Sequence, residues 1–133
     1  MINKLKQLAK TLEGDLFFDK MIKTLYATDA SSYREFPLAV AIPKTQQDIA
    51  KLIQFASTHH TSLIPRTAGT SLAGQVVGSG IVVDVSKHFN KILELNKEQG
   101  WVRVQPGVIR DELNMFLQEH GLFFGPETST ANR

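Results

Sequence analysis

"PRTAGTSLAGQ" (Pro65–Gln75) carries two glycines, and Gly78 and Gly80 follow close behind. A short apolar run, "SLIP" (Ser62–Pro65), leads in, and "GIVVDVS" (Gly80–Ser86) leads out. Glycine loses more conformational freedom on folding than any other residue, so such a cluster needs a cause. Either the backbone turns where a Cβ would clash, or a ligand touches the backbone itself. The flanking runs read as strands, and the second is continuously β-branched, as in a strand buried on both faces. A strand–glycine loop–strand unit is therefore the anchor of the fold.

Upstream of this unit, "LAVAIP" (Leu38–Pro43) reads as another buried strand, ended by its proline. Thr45 caps the helix that follows, with Asp48 near the positive end of its dipole. Ile49, Leu52, Ile53 and Ala56 form its expected apolar face. Residues 2 to 25 read as an N-terminal helical segment. Ile2, Leu5, Leu8, Ala9 and Leu12 recur at helical spacing, Gly14 punctuates, and a second helix is expected from Asp15 to Leu25. "YATDASSYREFP" (Tyr26–Pro37) is a loop by composition.

Downstream, "KILELN" (Lys91–Asn96) and "WVRVQ" (Trp101–Gln105) form a hairpin around "KEQG" (Lys97–Gly100). "VIRDELNMFLQEHG" (Val108–Gly121) is a helix with Ile109, Leu113, Phe116, Leu117 and His120 on one face and no obvious cap at its start. The order predicts an α+β fold: a small strand–helix unit with at least one crossover, then the start of an antiparallel sheet.

The totals bound the function. The 133 residues suffice for one compact domain, and 42% hydrophobic with 21% charged residues is ordinary for a globular protein. A formal charge of +2, spread along the chain, does not point to nucleic acid. With no cysteine, the chain has no disulfide and no thiolate-bound metal. No stretch approaches the roughly 18 apolar residues of a membrane span. "MINKLKQLAKTLEGD" (Met1–Asp15) has charges throughout and no secretory h-region, so a cytoplasmic location is expected. The polar end, "GPETSTANR" (Gly125–Arg133), reads either as a frayed tail or as a truncation.

Two familiar phosphate loops fail on inspection. Gly69 and Gly74 have the GxxxxG spacing of a nucleoside-triphosphate loop, but Gln75 and Val76 stand where lysine and a hydroxyl residue belong. Gly78 and Gly80 begin a dinucleotide fingerprint that Val83 does not complete. The small-residue loop Thr67-Ala68-Gly69-Thr70-Ser71 still suits a diphosphate held by backbone N–H groups. Such a site needs no lysine or metal if each phosphate is a diester, as in FAD. A purely structural turn explains the same glycines equally well.

"PRTAGTSLAGQ" resembles the pyrophosphate loop of the FAD-binding domain shared by vanillyl-alcohol oxidase, p-cresol methylhydroxylase and FAD-linked 2-hydroxy-acid dehydrogenases of the glycolate oxidase and D-lactate dehydrogenase kind. "FPLAVAIPKTQQDIAKLIQFA", "GIVVDVSKHFNKILELN" and "VRVQPGVIRDELNMFLQEHGLFFGPET" resemble other segments of that domain, in the same order, so that residues 26–133 look like part of it. "YATDASSYREFP" and "GPETSTANR" look most like the large members with a C-terminal iron–sulfur part.

The resemblance implies that Arg66, Thr67, Ala68, Gly69, Thr70 and Ser71 hold the FAD diphosphate, with Gly74 and Gln75 completing the loop. It implies that Pro106, Gly107 and Val108 lie near the nucleotide half, and Pro126, Thr128 and Ser129 near the flavin. Some relatives tether the flavin through a loop histidine; Thr70 stands at about that place, which implies non-covalent FAD. The resemblance further implies an enzyme parent that oxidises a small 2-hydroxy acid. The fragment itself is expected to be inactive and to bind FAD weakly or not at all. A reductase of cell-wall precursor synthesis with the same fold, and a non-catalytic assembly module, are the alternatives. An unpaired edge on "KILEL" or "WVRVQ" would favour a homo-oligomer.

The remaining polar residues have plainer readings. His59 and His60 suit a solvated helix end, and His88 and His120 lack metal-type partners. Asp84 reads as a strand-end carboxylate bonded to backbone or as a contact near the cofactor, Trp101 as an edge or core aromatic, and Glu127 as either a solvated acid or a flavin neighbour. Arg66 suits a phosphate or a nearby carboxylate.

Overall fold

Four consecutive residues, Ile81, Val82, Val83 and Asp84, are buried, as expected for a strand enclosed on both faces. The structure is a computed structural model that describes residues 1–133. It divides into two units, Met1–His88 and Phe89–Arg133. In chain order the first holds α1 (Ile2–Ala9), β1 (Asp15–Phe17), α2 (Lys20–Leu25), β2 (Ala39–Ile42), α3 (Gln46–His59), β3 (Leu63–Arg66) and β4 (Ile81–Asp84). The second holds β5 (Ile92–Asn96), β6 (Trp101–Val104) and α4 (Arg110–Gln118). The class is α+β.

The first unit is built on a four-stranded sheet of order β1-β2-β4-β3. Strands β2 and β3 both pair with β4 in parallel, Val40 and Ile64 each opposite Val82. Helix α3 therefore makes the crossover from β2 to β3, and β4 enters between them afterwards. Ala39, Val40, Ala41, Ile81 and Val82 are fully buried. Each aliphatic side chain of valine size or larger contributes about 1.5–3 kcal/mol by leaving water.

Strand β1 departs from the expected helix over residues 15–25. Asp15, Leu16 and Phe17 pair antiparallel with Ile42, Ala41 and Val40, so the open edge of β2 takes this segment as strand. The shorter helix α2 starts only after Asp19, whose carboxylate accepts from the amides of Met21 and Ile22. The buried face of α3 also differs from the pattern. Leu52, Phe55 and Ala56 are buried on it, whereas Ile53 is 55% exposed.

Asp48 is the other buried residue of α3, and it is fully enclosed. Thr45 caps the helix as expected, accepting from the Asp48 amide. The Asp48 carboxylate itself accepts from the amides of Glu13 (2.9 Å), Gly14 (2.9 Å) and Lys44 (3.0 Å). It thereby ties the turn before β1 to the end of β2. A Cβ on Gly14 would lie 2.2 Å from the Ile42 carbonyl oxygen, so only glycine permits this approach.

The second unit is a hairpin and a helix. Strands β5 and β6 pair antiparallel, with Leu95 opposite Val102 and an irregularity between Ile92 and Glu94. Gly100, at φ 69°, closes the turn by donating to the Asn96 carbonyl. Helix α4 buries Leu113 and Leu117 and has no side-chain cap, both as read from the sequence.

Burial pushes the Asp48 pKa up, but the three amides outweigh it and hold the carboxylate below the ordinary value of 3.8. Asp48→Ala leaves those amides without a partner and is expected to cost about 3 kcal/mol in urea unfolding. A depressed folded pKa means that this stability is complete above the ordinary aspartate range and is lost as pH falls through the folded value. The difference in unfolding midpoint between wild type and Asp48→Asn should therefore shrink on acidification.

Candidate functional site

Strand β3 ends at Arg66 and β4 begins at Ile81, so the glycine loop springs from the C-terminal end of a strand in a parallel pair. In open α/β sheets that end is where ligands bind. The N–H groups of Ala68, Gly69, Thr70, Ser71 and Leu72 donate to nothing in the chain. Thr67, Ala68 and Thr70 are exposed, and neither threonine hydroxyl is hydrogen-bonded within the chain. The near half of the loop thus presents donors on small side chains.

The far half is built differently. Ser71 Oγ accepts from the amides of Ala73 (3.1 Å) and Gln75 (3.3 Å) and donates to Gln75 Oε1 (3.1 Å). Ser71 Oγ and Gln75 Oε1 are therefore engaged in shaping the turn itself. Gly74, at φ 71°, faces Tyr33 so closely that a Cβ would lie 2.7 Å from its ring.

Beneath the loop lies Arg66. Its guanidinium donates to the Thr28 carbonyl oxygen (2.8 Å) and stands 5.1 Å from the Tyr26 ring centroid. A Cβ on Gly69, at φ 68°, would meet that guanidinium at 2.4 Å. Arg66 is thus held against the underside of Gly69 by an aromatic ring and a carbonyl. The Gly69 carbonyl in turn accepts from the Ala30 amide (3.1 Å).

Tyr26 is itself fixed. Its hydroxyl donates to Asp84 Oδ2 (2.6 Å), while Asp84 Oδ1 accepts from the Ser86 amide (3.0 Å) and hydroxyl (2.6 Å). Asp84 is bonded to backbone, as expected, and also anchors the phenol. The segment read only as a loop, Tyr26–Pro37, is therefore the clamp on the glycine loop. Tyr26, Thr28, Ala30 and Tyr33 all touch it or its base. Asp29, in the same segment, is held below the ordinary aspartate pKa chiefly by its hydrogen bonding with Ser31.

The other expected site residues belong to the second unit. The Gly107 amide donates to the Phe89 carbonyl (2.7 Å) and the Val108 amide to the Gln105 carbonyl (3.1 Å). These amides are occupied, unlike those of the glycine loop, and Pro106 has none. Pro126, Thr128 and Ser129 are exposed on the terminal run, where Thr128 Oγ1 bonds the Thr130 carbonyl (3.1 Å). No group of acidic and histidine side chains capable of holding a metal forms.

The Tyr26 pKa is pushed up to about 12, first by burial and then by its bond to Asp84. Tyr26→Phe is expected to abolish a phenolate transition near that pH in an ultraviolet titration. A raised folded pKa means that the stability due to this phenol is complete below the ordinary value of 10.0 and is lost as pH rises through about 12.

Comparison with known proteins agrees with this geometry. The family described as "FAD binding domain" matches residues 37–133. The chain is 45% identical over 124 residues to the D-2-hydroxyglutarate dehydrogenase of Haemophilus influenzae, covering 91% of this chain and 12% of that protein. It is 34% identical over 110 residues to the glycolate oxidase subunit GlcD of Bacillus subtilis, covering 81% and 23% respectively. The chain thus spans less than a quarter of either relative. An alkyldihydroxyacetonephosphate synthase structure superposes with a TM-score of 0.83 at 18% identity, over 99% of this chain and 27% of that one. A p-cresol methylhydroxylase structure does so with a TM-score of 0.70 at 17% identity, over 91% and 25%. With strand–loop–strand unit, crossover helix and terminal hairpin all inside or beside the matched residues, the chain belongs to the FAD binding domain family, whose cofactor is FAD.

Proposed function

We propose that Arg66–Gln75 seats the diphosphate of FAD in an oxidoreductase that oxidises a small 2-hydroxy acid by hydride transfer to the flavin. The observation that carries the reading is the row of unpartnered amides from Ala68 to Leu72. A doubly esterified diphosphate carries one charge per phosphorus, and backbone N–H groups can match it without a metal. Thr67 and Thr70 add hydroxyl donors, and Gly69 lets the backbone approach. Arg66 acts from beneath: it fixes the loop rather than pairing directly with phosphate. In the second unit, Pro106, Gly107, Val108, Pro126, Thr128 and Ser129 are proposed as further cofactor contacts on the resemblance to the family alone.

FAD supplies the hydride acceptor, and this chain's residues bind and orient it. Residues 26–133 serve as part of the FAD-binding domain, and the preceding residues hold α1, β1 and α2, of which β1 adds an edge to the first sheet. The substrate class rests on the relatives' names, which include 2-hydroxyglutarate and lactate dehydrogenases. We further place the protein in the cytoplasm; no helix is long and apolar enough to cross a membrane.

Fluorescence titration of FAD against a polypeptide extended to the length of its relatives tests the diphosphate seat. Gly69→Val, forced into a positive φ and against Arg66, is expected to weaken binding about tenfold. An extended protein that releases no flavin on heat denaturation, or a Gly69→Val variant with unchanged affinity, overturns the proposal. Within the second unit, β5 and β6 pair only with each other. We propose that an outer edge of this hairpin pairs with a second copy. Size-exclusion chromatography with light scattering should show a concentration-dependent dimer of the 133-residue chain, and a monomer at every concentration refutes that pairing.

A further inference from the structure

Away from the glycine loop, helices α1 and α3 border a cleft of about 520 Å³. Leu8 and Phe55 give it an apolar lining, Lys4 and Lys51 bring positive charge, and His59 adds an imidazole. No aspartate or glutamate lines it. The Lys4 ammonium lies 3.3 Å from His59 Nδ1, and the Lys51 ammonium reaches the Thr11 carbonyl oxygen. The chain's one salt bridge joins Arg103 to Glu94, so neither lysine has a carboxylate partner. Phe55 packs edge-on to His59, with ring centroids 4.5 Å apart, and orients the imidazole. Two ammonium groups and an oriented imidazole share a cleft without a counter-charge.

We propose that the α1–α3 cleft binds a phosphate monoester, with Lys4 and Lys51 neutralising the dianion, His59 adding a third donor, and Leu8 and Phe55 receiving the apolar part of the ligand. The donor set favours this charge state. Two lysines match two negative charges, and the hydroxyls of Thr11 and Thr58 border the same space. The imidazole supplies a built-in reporter. Burial, then Lys4, His60 and the Met1 ammonium, hold the His59 pKa below its ordinary value. A dianion beside it reverses those repulsions, so binding should raise the His59 pKa. By the same linkage the dianion binds more tightly when His59 carries its proton, while protonation of the phosphate itself, at about pH 6, removes the second charge and opposes that gain.

The test is a titration of the 133-residue chain with inorganic phosphate at constant ionic strength, followed by NMR of the His59 imidazole and the Lys4 and Lys51 side chains. The expected result is a saturable shift at these three residues and a raised His59 pKa. Lys4→Ala and Lys51→Ala should each weaken binding about tenfold, the loss of one charge-assisted hydrogen bond. Lys97→Ala, outside the cleft, should not change it. All three lysines are on the surface, and circular dichroism verifies that the variants fold. Chloride producing the same shifts, or phosphate shifting no cleft residue, overturns the site. A parallel arm uses phosphatidylcholine vesicles containing phosphatidylglycerol. Binding to these with no response to free phosphate also overturns the site, in favour of a lipid surface.

Discussion

The glycine loop keeps its shape because one phenol meets a carboxylate at its hydroxyl and a guanidinium at its face. Tyr26 donates to Asp84 at 2.6 Å and lies under Arg66 at 5.1 Å. Asp84 is 8% exposed and would be costly as an isolated charge. Three donors, from Tyr26 and Ser86, satisfy it without a direct cation. The arginine is consequently available to fill the space under Gly69, reaching across to the Thr28 carbonyl. Removing any one of the three groups would unsettle the other two, because each completes the surroundings of its neighbour. The loop is thus held by side chains and by the Ala30 amide on the Gly69 carbonyl, and its amides from Ala68 to Leu72 stay unpartnered.

That division of labour answers why glycine recurs here. At Gly69 and Gly74 the positive φ values and the neighbours act together: Arg66 occupies the Cβ position of one and Tyr33 that of the other. These glycines are structural, yet their structural role is what frees the amides between them. The two explanations that compete at the level of the sequence, a tight turn and a backbone-contacting ligand, are therefore compatible. Packing accounts for the glycines, and the donors from Ala68 to Leu72 stay unpartnered beside them, where the proposed diphosphate would meet them.

Elements with a strong local signal were legible in advance. The β-branched run of β4, the capped helix α3 and the hairpin of β5 and β6 all lie where pattern and turn chemistry put them. What was missed depends on partners distant in sequence. Asp15–Phe17 becomes strand because β2 offers an edge, a fact that helical spacing within residues 2–25 does not carry. Ile53 is exposed while Phe55 is buried, because the face of α3 is set by what covers it. Asp48 suggested a dipole contact, but its three partners include amides more than thirty residues away. The glycine loop lies between two strands, as its flanking runs predict. Its clamp was not legible, since hydrogen bonds from Tyr26–Pro37 to the loop leave no periodic trace.

The placement of cations bears on what kind of anion the loop could take. Arg66 is engaged with Tyr26 and Thr28, while Arg103 is spent on Glu94 and the face of Trp101. Arg34 stands over Phe36 at 5.1 Å. No lysine occurs between Pro65 and Gln75. A terminal phosphate, with two charges and no ester on its outer oxygens, would be poorly neutralised by such a surface. A diphosphate esterified at both ends asks for hydrogen-bond donors spaced along a backbone. The loop offers donors of that kind, so the lack of a phosphate-binding lysine, which excludes nucleoside triphosphates, is the same feature that suits a dinucleotide flavin.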